Sequence, residues 1–309
     1  MTAGCLSCLR PVPGFERHHP RCARRLFGAD AAPRLDLGSA EFQTAALATI
    51  GRSSLAGVQR KISLGIHPGR RTLRVELGGG GRFILKPQVP EFPALPENEH
   101  LTMELARGFG LAVPDTTLLE LADGALAYVV VRFDRPRVGG KRRQEDFCQL
   151  RLLPPAAKHD GTAIDCADVI RRYSAEPGAD LVRLFETFVF AYWVGNGDLH
   201  QKNLSLLADE AGRHLLSPTY DQVCTALYPG LDSRLGLLLA PDESRADRAA
   251  WLRFAQRCGI PERGARRILE RPRGSLRTAA ATLERSHLPV ALHSRYLEVL
   301  RVRADVFVD

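Results

Sequence analysis

The sequence predicts an α+β chain in two lobes, β-rich in its first half and helical in its second. Three observations carry that prediction. Between Lys61 and Phe133, short runs of alternating or β-branched residues are punctuated by glycine and proline. From Gln144 onward, apolar residues recur at helical spacing. Inside that helical half, residues 195–221 are polar and turn-rich, with short strands, a layout that suits a cleft.

Taken in order, residues 1–33 form a small Cys/His-rich segment. A short helix is expected over 40–48 after Ser39 as N-cap. Lys61 to Leu64 reads as a strand, as does the alternating run Arg71 to Leu77. Gly78 to Gly81 makes a turn, and the strand Arg82 to Lys86 is stopped by Pro87. Pro96 opens a helix that runs to Gly108 or Gly110, its early acidic residues suiting the helix dipole. Val113 to Leu119 and Ala127 to Phe133 complete a mostly antiparallel sheet. Helices are then expected over 144–153, 163–173, 178–195, 243–257, 262–270, 276–285 and 290–304, with Pro, Gly or Asp at the breaks. The lobes divide as 34–140 and 141–309.

The chain has 309 residues, enough for two ordinary domains or one two-lobed domain with a small attachment. A composition of 45% hydrophobic and 25% charged residues excludes a disordered, collagenous or coiled-coil chain. No apolar run reaches the roughly 20 residues that span a bilayer. Met1-Thr-Ala-Gly-Cys5 has neither the basic region nor the apolar stretch of a signal peptide, so a cytoplasmic protein without a membrane partner is expected. Lys plus Arg number 43 against 35 Asp plus Glu, a net +8 that is compatible with nucleic acid or a phosphorylated ligand and chooses neither. The clusters Arg70-Arg71, Lys141-Arg142-Arg143 and Arg266-Arg267 read equally as solvated faces.

Of seven cysteines, three crowd into the first 22 residues, unlike the even spacing of a secreted disulfide scaffold. Cys5-x2-Cys8-x10-His19-x2-Cys22 offers three thiolates and an imidazole suited to tetrahedral zinc, and His18 could replace His19. Such a zinc would be structural, since protein fills every ligand position. The other reading is two reduced surface cysteines with a third packed under Leu26 and Phe27.

The strongest chemical signal is Gly195-Asn-Gly-Asp-Leu-His-Gln-Lys-Asn203. Asp198 followed five positions later by Asn203 has the spacing of a kinase catalytic loop, where the aspartate accepts the substrate hydroxyl proton and the asparagine holds magnesium. Asp221, eighteen residues further on, suits a second metal-binding carboxylate. Upstream, Lys86 ends a strand and Glu97 and Glu99 open the next helix, the arrangement of a phosphate-positioning lysine–glutamate pair. Singly, each could be a turn former, a helix cap or a solvated strand end. In this order they converge on phosphoryl transfer. Residues 53–61 match neither G-x-G-x-x-G nor Walker A, yet amides near Gly57 could cradle phosphates. His200 is expected to orient the loop or Asp198; His67, His159 and His214 are expected in solvent.

The chain resembles the HipA-like serine/threonine kinases, the toxin kinases of bacterial toxin–antitoxin systems. The resemblance rests on Ser54 to Leu64, Phe83 to Pro87, Pro96 to His100, Arg132 to Arg135, Gln144 to Phe147, Gly195 to Asn203 and Pro218 to Asp221, in family order. It implies a two-lobed protein-kinase-like fold that binds ATP and Mg2+. Asp198 would be the catalytic base, Lys86 would hold the phosphates, and Asn203 and Asp221 would bind magnesium. Ser54, Ala56, Gly57, Val58, Gln59 and Lys61 would form the phosphate-covering loop, and Glu99, His200 and Lys202 would complete the cofactor site. Ser54 stands where these kinases autophosphorylate; the added negative charge would switch the enzyme down. The implied substrate is a translation component such as an aminoacyl-tRNA synthetase. The implied partner is a helix-turn-helix antitoxin, with DNA contacted through that partner or a basic surface. Longer relatives carry an N-terminal subdomain, whereas 53 residues precede Ser54 here. This resembles a short branch in which that subdomain is absent or separately encoded as a partner. Two rivals share these features: a small-molecule kinase on the same fold, and a zinc-bearing DNA-associated regulator with a vestigial kinase cleft.

Overall fold

The computed structural model describes residues 4–13, 16–35, 37–38, 41, 61–67, 72–76, 79–138, 140–231, 234–241 and 245–308. The expected helix over 40–48 falls, all but Glu41, outside the described residues. So does the phosphate-loop stretch with Ser54, Ala56, Gly57, Val58 and Gln59. The elements, in chain order, are α1 (Pro20–Phe27), β1 (Ile62–Ile66), β2 (Leu73–Val75), β3 (Phe83–Pro87), α2 (Leu95–Phe109), β4 (Thr116–Glu120) and β5 (Leu126–Val131). They continue with β6 (Gln144–Asp146), α3 (Phe147–Leu150), α4 (Ala163–Tyr173), α5 (Pro177–Trp193), β7 (Ser205–Ala208), β8 (His214–Leu216), α6 (Arg248–Arg257), α7 (Glu262–Glu284) and α8 (His293–Asp305). Packing divides the chain into two compact units. One holds Met1–Glu104, Pro114–Gly139 and Thr282–Val290, the other Leu105–Val113, Gly140–Ala281 and Ala291–Asp309.

The first unit is built on an antiparallel sheet in the order β2-β1-β3-β5-β4. Ile62 and Leu64, Phe83 and Leu85, and Ala127, Val129 and Val131 alternate along their strands, so one face is apolar. That face buries itself against Ala23, Leu26 and Phe27 of α1, together with Leu35 and Leu73. Pro20 starts α1 with a preset φ, and Gly28 ends it in the left-handed conformation at φ 79°, its N–H returning to Arg24 O. The N-terminal Cys/His segment belongs to this unit. Its residues Leu6 and Ser7 run beside β4, where Leu118 N donates to Leu6 O at 2.9 Å and Ser7 Oγ to Thr116 O at 3.2 Å. Arg132 clasps Asp134 through two hydrogen bonds and Gly79 O through a third, so the Arg132–Arg135 stretch is a turn clasp.

The second unit is organised around α5. Leu181, Leu184, Phe185, Phe188, Val189, Phe190, Ala191 and Trp193 are all buried, which makes α5 a central helix with almost no wet face. Trp251 of α6 meets Phe185 edge-on, and Phe254 packs tilted against Phe185 and edge-on against Phe188. Two expectations are corrected here. Residues 144–153 are not one helix: Gln144, Glu145 and Asp146 pair with Leu207, Leu206 and Ser205 in a three-stranded sheet β6-β7-β8. Asp146 then caps the single turn α3, bonded reciprocally with Gln149. The helices expected over 262–270 and 276–285 are one, α7, which passes through Pro272. Proline in a helix interior costs about 3 kcal/mol. Tertiary anchoring of the adjacent Arg271, ion-paired to Glu186 at 2.5 Å and stacked 4.2 Å over Phe109, offsets that cost.

Two predictions follow from this packing. Pro272→Ala returns an N–H to the Ile268 carbonyl and is expected to stabilise the protein by about 1–2 kcal/mol, less than the full proline penalty because alanine also loosens the unfolded chain. Equilibrium urea denaturation measures it, and an unchanged or lowered midpoint would contradict the account. His100, buried on α2, donates from Nε2 to Ser7 O at 3.0 Å. Burial first, then the nearby His287 and His18, lower its pKa from 6.5 to about 3. Its folded pKa lies below its unfolded value, so the stability it contributes is complete above pH 6.5 and is lost as pH falls toward 3. The denaturation midpoint of His100→Gln should therefore fall less steeply between pH 7 and 4 than that of the parent; parallel slopes would remove His100 from the explanation.

Candidate active site

In the second unit, the loop after α5 carries the densest set of polar side chains. Gly195 turns the chain at φ 73°, and a Cβ there would lie 2.9 Å from Ala226 and from Val299. The next residue, Asn196, is buried; its amide donates to Gln222 Oε1 at 3.0 Å and its oxygen accepts Asp198 N–H at 3.0 Å. Thr225 Oγ1 accepts Gly197 N–H at 2.7 Å and donates to Gly195 O at 3.0 Å. Gly236 crosses over the loop, where a Cβ would meet Leu199 O at 2.4 Å, so only glycine lets the two backbones approach this closely.

This scaffold leaves the Asp198 side chain exposed, with Lys158 Nζ and His159 Nε2 each 3.7 Å from its Oδ1. His159 is exposed, as expected beside a turn, and also bonds Gly236 O through Nδ1 at 3.2 Å and faces the carboxylate. Asn203 closes the loop: its Oδ1 accepts His200 N–H at 3.0 Å and its Nδ2 donates to Asp221 Oδ2 at 2.9 Å. Asp221 sits at φ 61°, a left-handed conformation that costs energy for a residue other than glycine. Tyr220 helps hold it there, its hydroxyl donating to Lys202 O at 2.9 Å. Lys202 pairs with Asp146 at 2.8 Å, which ties the loop to the end of β6. His200 is buried, and its Nδ1 has no hydrogen-bond partner. Burial lowers its pKa to about 4, so the ring is neutral near pH 7 and acts by packing edge-on against His159, with ring centroids 5.1 Å apart.

In the first unit, Lys86 of β3 reaches Glu99 of α2 at 2.6 Å, with 9% and 3% of the two side chains exposed. The ammonium also lies 5.6 Å from the Tyr128 ring centre. Of the two glutamates at the start of α2, Glu99 is the partner; Glu97 is half-buried, its Oε2 atom buried without a hydrogen-bond partner, and burial raises its pKa. Lys61 lies half-buried just ahead of β1. The proposed nucleotide residues thus fall into two sets, Lys86 with Glu99 in the first unit, and Asp198, His200, Lys202, Asn203 and Asp221 in the second. Sequence spacing did not reveal Lys158 and His159, forty residues from Asp198, nor the supports Asn196, Gln222 and Thr225. No local pattern distinguishes these from ordinary loop polar residues.

At the N-terminus, the ligand atoms of Cys5, Cys8, His19 and Cys22 all lie within 4.8 Å of one another. His18 points elsewhere, its Nε2 2.8 Å from Thr117 Oγ1. That settles which histidine faces the thiols.

A family model described as "HipA-like C-terminal domain" matches residues 53–280, well over half of the chain. The chain belongs to the HipA-like family. A protein of Sinorhizobium fredii named "Putative kinase Y4mE" is 36% identical over 219 residues, 68% of this chain and 51% of that protein. A second from the same organism, "Putative kinase Y4dM", is 33% identical, covering 71% of this chain and 54% of its own length. The chain therefore spans about half the length of these HipA-like relatives. Among solved structures, HipA of Shewanella oneidensis MR-1, in complex with HipB and its operator DNA, superposes with a TM-score of 0.68 at 22% identity, over 82% of this chain and 64% of that one. The Helicobacter pylori proinflammatory kinase CtkA gives 0.56 at 16% identity, over 79% and 94%. The fold is thus the kinase-like α+β fold of HipA and CtkA. Among the described residues no helix is long and apolar enough to cross a membrane.

The buried Lys86–Glu99 pair makes a stability prediction independent of activity. Glu99→Ala removes the carboxylate 2.6 Å from a buried ammonium and is expected to cost about 3–5 kcal/mol. Replacing both partners with apolar residues, Lys86→Met with Glu99→Leu, should recover most of that loss. Urea midpoints for the two variants test it; a single variant as stable as the double would mean that the pair is solvated.

Proposed function

We propose that this HipA-like chain is an ATP-dependent serine/threonine protein kinase. The observation that carries the reading is the loop geometry: Asn203 bonded to Asp221 at 2.9 Å, with Asp198 held open to solvent five residues earlier by hydrogen bonds from its own loop. An amide and a carboxylate side by side are the hard oxygen donors that suit Mg2+, and Asn203 with Asp221 would hold it. The ion, when bound, neutralises charge developing on the transferred phosphoryl group. Asp198 accepts the proton of the substrate hydroxyl as the oxygen–phosphorus bond forms and the bond to the ADP leaving group breaks. Lys158 Nζ and His159 Nε2 flank this carboxylate, each 3.7 Å from its Oδ1. Lys86, oriented by Glu99, holds ATP phosphates.

By family resemblance, Ser54 is the autophosphorylation site, ahead of a phosphate-covering loop around Gly57, and the substrate is a translation component such as an aminoacyl-tRNA synthetase. The Shewanella protein was solved with HipB and operator DNA. In the same manner this chain would act as a growth-arresting toxin restrained by a helix-turn-helix antitoxin, which would supply the DNA contact.

Incubation with Mg2+ and γ-labelled ATP tests the reading, with peptide mapping of the label. Wild type should carry phosphate on Ser54. Asp198→Asn, with an unchanged circular dichroism spectrum, should lose transfer by at least about 100-fold. Undiminished transfer in that variant would sink the assignment.

A further inference from the structure

The N-terminal segment folds around sulfur. Gly4 and Pro11 bridge as the ends of a small hairpin, Cys5 N–H donates to Arg10 O at 2.8 Å, and Cys5 and Cys8 sit at its tip. Cys22 comes from the first turn of α1 and His19 from its N-cap. Around the sulfur atoms the buried cluster is small, Cys5, Val12 and Cys22 with Cys8 packed on it, while Ala23, Leu26 and Phe27 belong to the core of the sheet. Leu9, next to Cys8, is nevertheless kept at φ 59°, a costly conformation for a leucine.

The geometry points to a structural zinc ion bound by Cys5, Cys8, His19 and Cys22. Tetrahedral ligands at Zn–S about 2.3 Å and Zn–N about 2.0 Å lie about 3.5–3.8 Å apart. Here Cys8 Sγ and His19 Nδ1 are 3.4 Å apart, and every ligand atom is within 4.8 Å of the others. The surrounding bonds prepare these atoms for a metal. His19 Nε2–H donates to Pro11 O at 2.9 Å, which puts the proton on Nε2 and leaves the Nδ1 lone pair facing the thiols. The backbone N–H of His19 donates to Cys5 Sγ at 3.5 Å, a donor of the kind that stabilises a thiolate. All three cysteines are free thiols.

The ion would do more than close a loop. Leu6 O accepts both Leu118 N–H and Thr117 Oγ1, and Ser7 bonds Thr116 O, so the residues between the two cysteines cover the outer edge of β4. Ser7 O also takes the bond from His100, which follows Glu99 on α2. Zinc at this site therefore fastens the sheet edge and the helix that presents Glu99 to Lys86. This role rests on nothing in the kinase reading and survives its failure.

Metal analysis of the full chain, purified without metal-affinity chromatography and dialysed, is expected to find one zinc per chain. Cobalt(II) replacement should give the ligand-field and thiolate charge-transfer bands of a tetrahedral sulfur-rich site. Less than a tenth of an equivalent of metal, with no cobalt spectrum, would overturn the site on wild-type protein alone. Cys8→Ser, at the half-buried ligand, should release zinc to a chelator concentration that leaves wild type loaded. Equal retention would remove Cys8 from the ligand set and overturn the assignment. Hydrogen exchange tests the fastening: stripping zinc should speed exchange in 116–120 and 95–104 by at least about tenfold, and leave 195–204 unchanged. Unchanged exchange at β4 would overturn the structural role.

Discussion

Lys86 and Glu99 carry opposite charges 2.6 Å apart in an almost dry place, and the first unit has to hold that pair together. An isolated ion at such burial would neutralise or draw water inward. The pair persists because β3 is an inner strand, held on both sides by β1 and β5, and because α2 starts within reach of its end. A buried ion pair contributes little net stability against an apolar substitute. In so dry a place the pair holds the Lys86 ammonium in one orientation at the end of β3.

The second unit meets a different constraint. Its candidate catalytic side chains lie on a loop, and loops stay in place only if their backbone polar groups find partners. Here the partners are side chains: Thr225 for Gly195 and Gly197, Asn196 for Asp198, Asn203 for His200. The loop departs from the end of α5, whose burial on nearly every face gives it a rigid origin. The glycines serve close approach and the left-handed turn at Gly195. The cost of the positive φ at Asp221 is met by the hydrogen bonds around Tyr220 and Asn203. Rigidity at the origin and satisfied polar groups along the loop together aim Asp198 at solvent.

Both units use histidines as neutral, buried hydrogen-bonding or packing groups. His100 spans from α2 to the cysteine hairpin, and His200 packs against His159 beside Asp198. Burial lowers the pKa of each, so both carry no charge near neutral pH. His200 therefore adds no charge beside Asp198 near neutral pH.

The order of strands and helices, the Asp198–Asn203 spacing, Lys86 ahead of a glutamate-bearing helix, and the Cys/His spacing were all readable in the chain, because each depends on residues close in sequence. Periodicity reports which face of an element is apolar, and a loop motif carries its own spacing. Four things needed the tertiary structure. Pairing with β7 turned 144–146 from helix into strand, since strand pairing draws on a partner sixty residues away. Anchoring of Arg271 carried α7 through Pro272 against local propensity. Contact with Thr117 turned His18 aside and left His19 with the thiols. Packing across forty residues set Lys158 and His159 beside Asp198. The chain's short-range patterns determined what could form; long-range burial and hydrogen bonding chose among the forms, because only they bring together groups that local sequence cannot relate.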